Sequence, residues 1–210
     1  MQARTRQILL QILRKNYPRA EKFLVHSNTW ELLVATQLSA QCTDARVNQV
    51  TQKLFQKYPT LDDYVHASPR EFEKDIFSTG FYRNKTRNIL AAAKRIQHEF
   101  QGVVPNSMEK LLLLRGVARK TANVVLSQGF GVHEGIAVDT HVARVSKRLG
   151  LTHNHSPEKI ERDLMKIVEP KDYPWISTAL ILHGRRVCFA RKPACPRCVF
   201  VKICTSAVKT

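Results

Sequence analysis

A chain of 210 residues is long enough to bury a hydrophobic core without disulfide help, as one large or two small domains. Its 34 Lys and Arg against 17 acidic residues leave a formal charge of +17, which favours a polyanion as partner through counterion release and field-steered association. The longest apolar stretches, 111–114 and 176–182, fall far short of a membrane span and the N-terminus lacks a signal-peptide core, so no membrane is expected and the cytoplasm, with the nucleoid in a prokaryote, is the expected compartment.

In chain order, apolar residues recur at helical spacing and no run alternates as a strand does, so the fold is expected to be all-α. Residues 1–14 mix basic and apolar side chains as an amphipathic helix does. Asn28 reads as an N-cap with Glu31 three residues on, ahead of Trp30, Leu33, Val34 and Leu38 at helical spacing. Further helices are predicted near 47–55, 84–96, 106–114, 119–127 and 140–149. Ser156 followed by Pro157 reads as N-cap plus first-turn proline, with Ile160, Leu164, Ile167 and Val168 in one stripe. A last helix is predicted near 174–183. Prolines lie mainly between these segments, and Gly80, Gly102, Gly116, Gly129, Gly131, Gly135 and Gly150 are expected to mark turns. With no tandem repeat, low-complexity tract or long linker, any domain division must be a compact packing of helices.

Three local patterns bear on chemistry. Cys188, Cys195, Cys198 and Cys204 set four soft ligands in one short loop, surrounded by Arg185, Arg186, Arg191, Lys192, Arg197 and Lys202. Four thiolates suit a tetrahedral zinc or a [4Fe-4S] cluster, and either would hold a cationic surface rigidly. Cys42 stands far from them in sequence and reads as a small packing residue. In the second pattern, Leu113-Leu114-Arg115-Gly116-Val117-Ala118-Arg119-Lys120-Thr121-Ala122, one helix stops at a glycine turn and another begins. Backbone N–H groups at such a turn can hold phosphate without reading sequence, although ordinary helix-turn-helix corners share the pattern. The third, Ile136-Ala137-Val138-Asp139-Thr140-His141-Val142, puts Asp139 at the mouth of a helix. An N-cap is its plainest role and is compatible with a second one.

These patterns, in this order and at these separations, resemble the endonuclease III family of helix-hairpin-helix DNA glycosylases. So do Leu38-Ser39-Ala40-Gln41-Cys42-Thr43-Asp44, Gly80-Phe81-Tyr82-Arg83-Asn84-Lys85 and Ile181-Leu182-His183-Gly184-Arg185. The resemblance implies a central helical-barrel domain with a helix-hairpin-helix motif, residues 23–134, and a second helical domain, residues 1–22 with 135–210, carrying a [4Fe-4S] loop on the four cysteines. It implies a monomer that acts on double-stranded DNA containing a damaged base or abasic site. The activity implied is that of a bifunctional glycosylase and AP lyase that excises oxidised pyrimidines and cuts the strand by β-elimination. Lys120 matches the family's nucleophile and Asp139 its catalytic carboxylate, while Gln41 and Phe81 match the residues that probe and wedge the duplex when a base is flipped out. Gly116, Ala118 and Arg119 are the implied hairpin contacts. His141 and Arg144, one turn beyond Asp139, are expected to contact phosphate, His141 having the alternative of satisfying a buried hydrogen bond.

The family's usual hairpin reads Leu-Pro-Gly-Val-Gly, whereas Arg115 here replaces the proline and Ala118 the second glycine. A left-handed backbone at Ala118 would cost about 1–2 kcal/mol, with Arg115 offering a compensating phosphate contact. Phe81 stands where an aliphatic wedge is common. Two other classes fit parts of the pattern. A monofunctional adenine-specific glycosylase shares the cysteine loop, but Lys120 argues against it. A non-catalytic DNA-binding module would hold zinc on the same cysteines.

Overall fold

The computed structural model of the chain describes residues 3–207. Among them it forms eleven α-helices and no strand. They are α1 (Ala3–Asn16), α2 (Thr29–Leu38), α3 (Asp44–Lys57), α4 (Leu61–His66), α5 (Pro69–Asp75), α6 (Tyr82–Glu99), α7 (Met108–Leu112), α8 (Arg119–Phe130), α9 (Thr140–Arg148), α10 (Pro157–Met165) and α11 (Tyr173–Arg186). The all-α expectation holds. Met1 and Gln2, the start of the expected first helix, lie outside the described residues. No described helix is long and apolar enough to cross a membrane. Backbone contacts divide the chain into two compact units, Lys22–Glu134 and Met1–Glu21 with Gly135–Thr210.

In the unit Lys22–Glu134, α2 is the central element. Apolar residues lie on every side of it, and Trp30 and Leu32–Leu38 are all buried against α3, α6 and α8. Its start follows from the caps read in the sequence: the Asn28 side chain accepts from the Glu31 N–H, and the Glu31 carboxylate accepts from the Ser27 N–H one residue further back. Helices α4 and α5 were not expected, because six or seven residues show too little periodicity. They are held by an aromatic cluster of Trp30, Tyr58, Tyr64 and Phe72, with ring centroids 5.0–5.7 Å apart, and by a capping box between Thr60 and Asp63. The sequence reading also placed Gly129 at a turn, whereas the structure sets it inside α8. A Cβ there would meet Thr29 Cγ2 at 2.9 Å, so this glycine lets α8 close onto α2.

In the other unit, α11 is buried from Trp175 to Gly184 and packs along α9. Gly184 permits the close approach, since a Cβ would stand 3.0 Å from His141 Nδ1. The N-terminal segment is tied in by fully buried Leu9 and Leu13, by the Arg14 guanidinium over the Trp175 ring, and by the Trp175 indole N–H donating to the Tyr17 carbonyl at 2.6 Å. Ser156 caps α10 with Pro157 in its first turn, as expected.

Candidate functional site

The hairpin runs from α7 to α8. Leu114 and Val117 anchor it in the core, while Arg115, Gly116 and Ala118 face solvent. The carbonyls before the turn are held from below: Arg95 donates to Leu113 O at 2.6 Å and Gln37 to Arg115 O at 3.4 Å. Gly116 has φ +77°, and a Cβ would collide with Asn88 Cβ at 2.7 Å. Ala118 differs. It sits at the N-cap of α8 with φ −96° and ψ 170°, an extended backbone open to any residue. The strain considered for alanine at this position is therefore absent, and the hairpin needs a left-handed residue only at Gly116.

Gly116→Ala is expected to destabilise the protein by about 2 kcal/mol or more, combining left-handed strain with displacement of Asn88, and to weaken DNA binding. Ala118→Gly should stay within about 0.5 kcal/mol of the parent. Urea unfolding of both variants checks the contrast, and equal costs would refute it.

No side chain caps α8, so its first-turn N–H groups are open to an anion. Arg119 and Lys120 occupy that first turn, Arg119 half-buried and Lys120 exposed. Gln41 and Phe81 belong to the same unit. Both are exposed, and both are non-glycine residues in the left-handed region, with φ 53° and 48°.

In the other unit, Asp139 is the N-cap of α9: Oδ1 accepts from the Val142 N–H at 2.8 Å. That cap uses one of its two carboxylate oxygens. One turn on, the Arg144 guanidinium donates to Gly184 O at 3.1 Å, to Cys188 O at 3.0 Å and to His141 Nδ1 at 3.1 Å. Receiving that bond makes Nδ1 the acceptor of a neutral imidazole. Burial pushes the His141 pKa down, Arg144 and Arg185 add to that, and Asp139 opposes it. The structure thus gives Arg144 the task of joining α9 to α11 and to the start of the cysteine loop.

Cys188, Cys195, Cys198 and Cys204 line one pocket that opens to solvent. They are free thiols, and among the described residues no group of three or more His, Cys, Asp or Glu is placed to hold a metal ion. The sulfurs instead surround the cavity. Burial raises the Cys198 and Cys204 thiols, and the neighbouring sulfurs add to that, so the protonated form is favoured at both. Two further residues, Arg148 and His183, reach this cavity and were given no role from the sequence. Arg148 donates to Cys188 Sγ at 3.4 Å and to the Phe189 and Ala190 carbonyls. His183 Nε2 lies 3.6 Å from Cys198 Sγ, its Nδ1 lies 3.0 Å from the Tyr17 hydroxyl, and burial holds its pKa down to about 4. The sequence signal for His183 was its position inside an apolar helix; Arg148 was hidden among many basic residues.

The model of the HhH-GPD superfamily base excision DNA repair proteins matches residues 34–170. Endonuclease III of Synechocystis sp. is 53% identical over 204 residues, covering 97% of this chain and 93% of that protein. A non-covalent endonuclease III–DNA complex superposes with a TM-score of 0.92 at 45% identity, covering 99% of this chain and 97% of the other. A trapped endonuclease III–DNA covalent intermediate, an estranged-adenine complex, gives the same TM-score and identity over 99% and 98%. The chain belongs to the endonuclease III family of the HhH-GPD superfamily.

Proposed function

We propose that this protein is a bifunctional DNA glycosylase and AP lyase of base excision repair, acting as a monomer on oxidised pyrimidines in duplex DNA, in the cytoplasm and, if its source is a prokaryote, in association with the nucleoid. The observation that carries the reading is the exposed Lys120 amine in the open first turn of α8, directly beyond the one glycine turn of the hairpin. A family member trapped with DNA as a covalent intermediate supports an attack of this kind.

The +17 charge draws the chain to DNA, and the hairpin N–H groups and Arg119 hold phosphate without reading sequence. The damaged nucleotide leaves the stack most readily where the lesion already weakens pairing; Gln41 and Phe81 fill and prop the gap. The deprotonated Lys120 amine attacks C1′ and the glycosidic C–N bond breaks. The base departs, taking up a proton, and the sugar opens to a Schiff base on Nζ. Loss of a C2′ proton then expels the 3′ phosphate by β-elimination. Asp139 accepts the lysine proton and steadies positive charge developing on the sugar. His141 and Arg144, which follow Asp139 on α9, contact phosphate near the scissile site.

The four cysteines are the proposed holders of a [4Fe-4S] cluster, and their chemistry and arrangement round one cavity fit it. When bound, the cluster supplies iron–sulfur bonds that staple the loop. Base removal and β-elimination exchange no electrons, so neither step draws on it.

The test is borohydride reduction during reaction with a duplex holding one oxidised pyrimidine. A covalent adduct and a β-elimination product are expected. Free base without adduct would mean monofunctional hydrolysis, and neither product would overturn the reading for this lesion class.

A further inference from the structure

Lys85 is buried in α6, 5% exposed, yet its ammonium meets no carboxylate among the bonds it makes: Nζ donates to Leu38 O and Thr79 O, each at 2.8 Å. Burying a cation is costly unless its donors are satisfied, and burial pushes the Lys85 pKa down, with Cys42 opposing. An apolar side chain of similar volume would serve packing alone at least as well.

The two acceptors end two different elements. Leu38 closes α2, where a helix leaves carbonyls without an intrahelical donor. Thr79 closes the 3-10 turn Phe77–Thr79. Three residues beyond Leu38 stands Gln41, and two beyond Thr79 stands Phe81, each exposed with a positive φ. Such backbones persist only where the surroundings over-determine them. One atom therefore fixes the roots of both loops, within two hydrogen-bond lengths of each other.

We propose that Lys85 is a positioning residue that sets the spacing between the Gln41 loop and the Phe81 turn, so that the two side chains enter the duplex as a pair. The proposal rests on the reading of Gln41 and Phe81 as probe and wedge. Lys85 touches neither DNA nor the reacting atoms; it acts through the two loops it joins.

The experiment uses the holoenzyme in single turnover on a duplex with 2-aminopurine opposite the oxidised pyrimidine, where fluorescence reports whether the orphaned partner is unstacked. In Lys85→Met the fluorescence change should be lost and base release should slow by about 10- to 100-fold, the scale of a small misplacement. Lys85→Arg, which keeps cationic donors, should recover part of both. In a Gln41→Ala/Phe81→Ala background, Lys85→Met should add little further loss. A folded Lys85→Met with native rate and fluorescence, or a loss that adds fully to the double variant, overturns the clamp. If Lys85→Met does not fold, Lys85→Gln is the substitute, since its shorter amide spans at most one carbonyl; native behaviour there overturns it equally. A Gln41→Ala/Phe81→Ala protein that behaves as native defeats the probe-and-wedge reading itself, a failure visible before Lys85 is touched.

Discussion

Lys120→Ala should abolish the borohydride-trapped adduct and slow base release by about a thousandfold or more. The size of the effect follows from position. Lys120 is an exposed residue of the first turn of α8, and alanine is the best helix former, so the change removes an amine without removing a packing contact. Thermal stability should stay within about 0.5 kcal/mol of the parent. DNA affinity should fall only by the worth of one phosphate-range charge. A large kinetic loss with stability and affinity nearly intact identifies a group acting in the transition state. An adduct that persists in the variant would reassign the nucleophile to another amine.

Cys198→Ser should release the cysteine loop. Of residues 188–207, Phe200 alone is buried, so hydrophobic burial contributes little to the order of this segment, and a short segment without a core needs a covalent or metal staple. The loop carries Arg191, Arg197 and Lys202, each a trypsin site once the backbone can open, whereas Pro193 protects the bond after Lys192. Native protein should resist trypsin there. The variant should be cut within the loop about 100-fold faster, corresponding to local opening made easier by nearly 3 kcal/mol. It should also lose the brown colour and the iron and sulfide of a [4Fe-4S] protein. A native preparation that is colourless and holds one zinc would overturn the cluster assignment while leaving the staple argument standing.

Legibility in the sequence varied with the range of the forces involved. Helices set by local signals were read closely: Asn28 with Glu31 marks α2, and Ser156 with Pro157 marks α10. Helices α4 and α5 depend on aromatic contacts between Trp30, Tyr64 and Phe72, distant in sequence, which leave no periodic trace in six or seven residues. Gly129 was misread because a glycine required for helix packing looks the same in sequence as one required for a turn. Ala118 drew a strain penalty that its extended backbone does not incur. For the candidate site, the cysteine spacing and the hairpin stood out because their elements are contiguous. The work of Arg148, His183 and Lys85 did not, since each acts on carbonyls or sulfurs brought near only by the fold.

Gln41 and Phe81 hold positive φ angles that glycine would adopt at no steric cost. Each represents about 1–3 kcal/mol that the native state gives up at a position proposed to enter the duplex. A laboratory selection for heat resistance alone should therefore drift toward Gln41→Gly and Phe81→Gly. Such survivors would melt later and, on the proposed reading of the two side chains as probe and wedge, repair less.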